Sequence, residues 1–195
     1  EESYNRSENI RWGIEKRMQN GTSHLYNRRC FGYRKNENGT LEICPEEAEV
    51  VRLIFDFYLR GGSILSIIKE LEKRQIQTPS GKKKWCTQTV VKILTNEKYI
   101  GNVLLKKTYT DGFPNRKRKN NRGEKDQYLA EQLHPEIISK EIFDAVQIER
   151  QRRSNVVIDK NGEKKRAGKR YCSKITPETD IESFDSILDY SSCSE

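Results

Sequence analysis

The chain has 195 residues and a formal charge of +8, from 37 Lys and Arg against 29 Asp and Glu. Hydrophobic residues make up 33% and charged residues 34%, which is lean beside the roughly 45–50% apolar usage of globular domains. That length allows one domain with tails, holds no run near the roughly 18 apolar residues of a membrane span, and opens on nothing like a signal peptide. Five scattered cysteines (Cys30, Cys44, Cys86, Cys172, Cys193) include no C-x-x-C pair. Neither a secreted disulfide framework nor a zinc ribbon is expected, and a reducing compartment is the default. The sequence begins at Glu1 rather than Met and reads as a fragment or a processed piece.

Residues 1–19 predict the end of a helix, because Ile10, Ile14 and Met18 recur at helical spacing and Asn20-Gly21 stops the run. Thr22 to Arg29 is a polar, basic linker without a period. Residues 29–44 predict a hairpin turning at Asn38-Gly39. Pro45 opens the strongest helix: Glu46 and Glu47 suit its N-terminal dipole, Ala48, Val51, Ile54, Phe55, Tyr58 and Leu59 form an apolar stripe, and Gly61-Gly62 ends it. Ser63 caps the next helix, which carries Ile64, Ile67, Ile68 and Leu71.

A loop with Thr78-Pro79-Ser80-Gly81 and three lysines leads to a short helix over 87–95. Its Val90, Ile93 and Leu94 face inward, leaving Thr87, Gln88, Val91 and Lys92 outward. Segments 102–106 and 127–131 are strand-like, with a basic loop between them, and Ser139 caps a last helix reaching Arg150–Arg153. Beyond Ser154 the chain turns polar and Lys-rich, then acidic, and disorder or marginal structure is expected. The fold class is α+β: a mainly helical domain with a helix-turn-helix-like unit at 63–95 and a small hairpin or sheet, preceded by a linker helix. Trp85 and Tyr99 are expected as core anchors.

The charge is uneven. Residues 175–195 hold six acidic residues and no basic one, so residues 1–174 carry 37 basic against 23 acidic, a net +14. Basic residues cluster at Arg116, Lys117, Arg118, Lys119, Arg122 and Lys125, at Lys164 to Arg170, and at Lys82, Lys83 and Lys84. Three such runs point to a polyanion, because each phosphate contact releases condensed counterions. Within the helix-turn-helix-like unit, a Gln and a Lys on the last helix are residue types that read adenine and guanine edges in a major groove.

From FGYRKNENGTLEICPEEAEVV through TPSGKKKWCTQTVVKILTNEKYIG to the end of KEIFDAVQIERQRR, the order of parts resembles the recombinase domain of large serine recombinases, the phage integrases and transposon-encoded site-specific recombinases. The likeness covers about Ile10 to Arg153, and ENIRWGIEKRMQNG is similar to the end of that family's linker helix. It implies boundaries at 1–20 (linker helix from a catalytic domain), 21–29 (basic linker), 30–153 (DNA-binding domain) and 154–195 (tail). It also implies a bacterial or phage-encoded, cytoplasmic, DNA-associated parent that cleaves through phosphoserine links without a cofactor and assembles as a dimer or tetramer on DNA. The family's serine-bearing domain would precede Glu1. None of the serines present sits in a motif that would activate a hydroxyl, so no catalytic residue is assigned here.

Double-stranded DNA is therefore the expected partner, with no membrane, small-molecule substrate, cofactor or metal. Three roles follow. Thr87, Gln88, Val91 and Lys92 read bases; His24, Asn27, Arg28 and Arg29 follow the minor groove; and Lys82, Lys83, Lys84, Arg116, Lys117, Arg118, Lys119 and Arg122 grip the backbone. The rivals are a helix-turn-helix transcription factor or RNA-binding module, and a metal nuclease using His24, His134 and nearby acids.

Overall fold

The computed structural model describes residues 2–110, 117–158 and 164–166. In chain order these form α1 (Glu2–Gln19), β1 (Tyr33–Lys35), β2 (Leu41–Ile43), α2 (Pro45–Leu59), α3 (Ile64–Lys73), α4 (Thr87–Leu94), a 3-10 turn (Glu97–Ile100), β3 (Val103–Leu105), β4 (Thr108–Thr110), β5 (Arg118–Asn120), β6 (Tyr128–Ala130), α5 (Lys140–Arg152), β7 (Val156–Ile158) and β8 (Lys164–Arg166). The class is α+β. The strands pair antiparallel in twos, β1 with β2, β3 with β6, β4 with β5 and β7 with β8. The described residues group into two compact units, one from 1–50 and 96–137, the other from 51–95 and 138 onward, with the boundary inside α2.

In the first unit Gly39, at φ +76°, closes the β1–β2 turn, where the Asn36 side chain accepts from the Thr40 N–H at 2.9 Å. The second unit holds α3, α4, α5 and most of α2, whose start, through Val50, belongs to the first unit. Pro45 starts α2 where its missing N–H costs nothing, and the Cys44 carbonyl accepts the first helical bond from Ala48. Ser63 caps α3 by accepting from the Ser66 N–H, and Ser139 caps α5 through Ile142. Ile54, Phe55, Ile67, Leu71, Val90, Leu94 and Val146 are almost wholly buried. Their spacing is what makes α4 pack against α3 and α5.

Between α3 and α4, Trp85 fixes the chain. Its backbone N–H donates to the Glu72 carboxylate at 3.0 Å and its indole Nε1 to the Ile76 carbonyl at 2.8 Å, with the ring buried. Tyr99 is likewise buried in the first unit, stacked at 6.3 Å on Tyr33. The Tyr33 hydroxyl donates to the Pro135 carbonyl at 2.8 Å, and the His134 ring meets Tyr33 edge-on at 4.7 Å.

His134 carries a pH consequence. Its Nε2 lies 2.7 Å from the Lys98 carbonyl, so the neutral ring with a proton on Nε2 fits the site. Burial holds its pKa below the usual histidine value, and the nearby Lys98 ammonium adds to this, against the hydrogen bond to the Lys98 carbonyl. The unfolded chain therefore takes up this proton first on acidification. Stability present above about pH 6.5 should be lost as pH falls towards the lower folded value. Urea midpoints at pH 7.5, 6.5 and 5.5 should fall more steeply for the wild type than for His134→Gln, and parallel curves would contradict this account of His134.

One segment differs from the sequence-based expectation. The basic stretch after β3 is not one loop, because β4 and β5 pair with Thr108 opposite Asn120 and Thr110 opposite Arg118. Three-residue strands, Thr108-Tyr109-Thr110 and the basic Arg118-Lys119-Asn120, give too little alternation to detect. In the linker after α1, Tyr26 is buried against Val103 and Leu105, and its hydroxyl donates to the Met18 carbonyl at 2.8 Å. Within the tail, β7 pairs antiparallel with β8, with Val156 opposite Arg166, and its β-branched Val156, Val157 and Ile158 suit a strand.

Candidate nucleic-acid interface

The candidate interface begins with α4. Its buried side, Val90, Ile93 and Leu94, leaves Thr87, Gln88 and Lys92 exposed and Val91 half-buried. The four expected base readers thus share one exposed side of an eight-residue helix that Trp85 anchors from the preceding loop. No Asp or Glu occurs from Lys73 to Asn96, against six Lys and Arg. Lys82, Lys83, Lys84 and Lys92 are all exposed, and among the described residues none has a carboxylate partner within 4.0 Å. Cations left without carboxylates in this way are available to phosphates.

The first unit carries the other candidates. His24, Arg28 and Arg29 are exposed and Asn27 is half-buried. The Lys98 ammonium shapes this stretch by donating to the Arg28 carbonyl at 2.6 Å and the Tyr26 carbonyl at 3.3 Å. Burial lowers the Lys98 pKa, a sign that this lysine is a clamp rather than a surface charge. Arg29 is partly committed as well, since its Nη2 lies 3.1 Å from the Glu47 carboxylate, which also accepts from the Gly32 N–H at 2.7 Å. It therefore offers a phosphate less than Arg28 does.

On the β4–β5 hairpin, Lys117, Arg118 and Lys119 are exposed, as is Arg122 just beyond; Arg116 lies outside the described residues. The hairpin base is tied by buried Asn121. Its amide donates to the Lys106 and Lys125 carbonyls at 3.0 and 2.6 Å and accepts from the N–H groups of Gly123 and Lys125. One side chain thereby orders the turn that carries Arg122. The neighbouring Lys106 and Lys107 are engaged by Glu15 and Glu97 at 2.7 and 2.5 Å, and Lys125 lies over the Tyr109 ring.

The α4 residues with Lys82 to Lys84 thus belong to one unit, and the linker and hairpin residues to the other. Sequence reasoning missed Thr78 and Ser80, whose hydroxyls lie beside the lysine run; a Thr-Pro-Ser-Gly turn before the lysines was the available signal. A metal centre finds no support at His134, which is buried and bonded to a backbone carbonyl. Among the described residues no three His, Cys, Asp or Glu side chains converge to hold an ion, and no helix is long and apolar enough to cross a membrane.

The chain is 34% identical over 88 residues to a Bacillus subtilis (strain 168) protein named "Putative DNA recombinase", a stretch that takes in 42% of this chain and 18% of that protein. Among solved structures, a large serine recombinase–DNA complex matches 66% of this chain and 34% of its own, with 27% identity and a TM-score of 0.44. A structure concerning the sequence requirements of the Listeria innocua prophage attP site matches 62% of this chain and 41% of its own, with 28% identity and a TM-score of 0.41. The chain thus spans less than half the length of each of these. The model of the Recombinase family matches residues 45–153, from the proline that opens α2 to the arginine that follows α5, and with more than half of its length inside that match the chain belongs to the Recombinase family.

Proposed function

We propose that this chain binds duplex DNA at a recombination attachment site, as the DNA-binding portion of a site-specific serine recombinase acting in DNA integration or excision. The observation that carries the reading is α4: a short helix anchored on one side, polar and cationic on the other, in a stretch of 24 residues, 73–96, with no acidic side chain. In this reading α4 enters the major groove, where Gln88 suits adenine, Lys92 suits guanine, and Val91 and the Thr87 methyl suit thymine methyl groups. Lys82 to Lys84 hold phosphates beside it. His24, Asn27 and Arg28 follow the minor groove, and Lys117, Arg118, Lys119 and Arg122 add backbone contacts that fix position without reading sequence. Dimeric or tetrameric assembly on DNA belongs to the parent recombinase in this reading.

Affinity for a duplex and for RNA of the same sequence, measured across a salt series, tests it. DNA should be preferred, because the deep, narrow groove of A-form RNA excludes a helix, and equal binding would favour an RNA-binding module. Changing Lys117, Arg118 and Arg122 to Gln should flatten the dependence of log affinity on log salt by about 0.9 for each phosphate that is no longer neutralised. An unchanged slope removes the hairpin from the interface.

A further inference from the structure

The turn ahead of α4 is built more rigidly than three flexible lysines need. Thr78 closes it: its N–H donates to the Lys82 carbonyl at 2.9 Å, its carbonyl accepts from the Gly81 N–H at 2.8 Å, and its buried hydroxyl accepts from the Lys82 N–H at 3.0 Å. Gly81 stands at φ +76°, a conformation that glycine adopts without strain. The Thr78 hydroxyl also lies 3.1 Å from that of Ser80. With its lone pair engaged by Lys82, the Thr78 hydroxyl can give its own proton to Ser80, which leaves the exposed Ser80 O–H free to donate outward.

Beside this turn lies an open cleft of about 600 Å³, lined by Thr78, Ser80, Lys82, Lys84, Cys86 and Thr89 among others. Both lysines are exposed and lack carboxylate partners among the described residues. The sulfur of Cys86, the residue before α4, meets the Thr89 hydroxyl at 3.0 Å. The cleft therefore gathers a hydroxyl donor, two ammonium groups and the positive end of a helix dipole, with no acid among its lining residues; the nearby Glu72 carboxylate is engaged by the Trp85 N–H at 3.0 Å.

We infer that this cleft seats one particular backbone phosphate of the bound duplex, held by Ser80, Lys82 and Lys84, and so fixes the register of α4 along the groove. The inference rests on the duplex-binding reading above and specifies the ligand group at one place within it. A phosphodiester monoanion fits the donor set, because its two non-bridging oxygens, each with more than one lone pair, can together accept from one hydroxyl and two ammonium groups. A rigid seat close to the start of α4 sets which base Gln88 meets, whereas mobile lysines would only add non-specific affinity.

The test uses the duplex that the wild-type chain selects from a random library, with single phosphates replaced by neutral methylphosphonates along each strand. For the wild type, one position or two adjacent positions flanking the bases that α4 contacts should lose about tenfold in affinity, the scale of one charge-assisted hydrogen bond. For Lys82→Gln/Lys84→Gln that penalty should vanish, while penalties elsewhere stay as they were. Ser80→Ala should shrink it at the same position, and circular dichroism spectra should be unchanged because these side chains are exposed. Retained specific binding with identical penalty profiles for wild type and double variant would overturn the phosphate seat alone. Failure of the wild type to select or bind any duplex would overturn the duplex-binding reading and this inference with it.

Discussion

Replacing Arg153 by alanine should cost about 3–5 kcal/mol of stability, the scale for removing one partner of a buried ion pair. The side chain has no solvent exposure, and its Nε meets the Glu149 carboxylate at 2.5 Å. Its other nitrogens donate to the carbonyls of Gly62 at 2.8 Å and Tyr58 at 2.9 Å, and the guanidinium lies 4.3 Å from the Tyr58 ring. The C-terminus of α2 explains the arrangement. A helix leaves its last carbonyls unpaired and negative; here Gly61 and Gly62 N–H groups return to Tyr58 and Phe57, and Arg153 completes the cap from the end of α5. A side chain at Gly62 would bring its Cβ within 2.5 Å of the Phe57 carbonyl oxygen, so this turn admits little change.

Alanine at 153 would leave the Gly62 and Tyr58 carbonyls without their guanidinium donors, a cavity, and Glu149 with Arg152 alone. Lysine should recover only part of the stability, since one ammonium cannot span three acceptors as a planar fork does. Burial raises the Glu149 pKa, and bonds from Arg152 and Arg153 outweigh it, so the carboxyl stays below its ordinary value. This contribution is present at neutral pH and disappears only as pH falls through that lowered value. Denaturant unfolding at pH 7 reads the effect, and a change under about 1 kcal/mol, the scale of an exposed pair, would contradict it.

The second large effect concerns recognition. Changing Gln88 and Lys92 to alanine should cost about 1–3 kcal/mol for each bidentate hydrogen-bond pair to a base that is removed, and only against the preferred site. Both side chains are exposed on α4, whose packing rests on Val90, Ile93 and Leu94, so the fold should persist. Binding to a scrambled duplex should hardly change, because phosphate contacts supply it. Competition between preferred and scrambled duplexes measures the ratio. Equal weakening for both sequences would mean that α4 touches the backbone and reads nothing.

How far the sequence discloses this molecule depends on where the determinants lie. α2, α3, α4 and α5 are legible because their signals are local: Pro45, Ser63 and Ser139 at the starts, and apolar stripes at helical spacing. The outward set on α4 follows directly from that period. Arg153 shows the opposite case, since it closes a basic run in sequence yet is wholly buried, and only the meeting of α5 with the end of α2 decides this. Lys98 is another such residue, indistinguishable by sequence from a surface charge. The β4–β5 pairing and the docking of Tyr26 on β3 depend on contacts between distant segments, which three-residue strands cannot announce. Among the candidate phosphate-binding groups, composition identified the lysines at 82–84 but not the Thr78–Ser80 turn that shapes the surface beside them.

If α4 is a reading head for a double helix, selection from a random duplex library at physiological ionic strength, with heparin as competitor, shows it most directly. The wild-type chain should recover duplexes converging on one motif and bind it about a thousandfold more tightly than scrambled sequence. Recovered sequences without a common motif, together with equal affinity for heparin and for every duplex tried, would contradict the role given to α4.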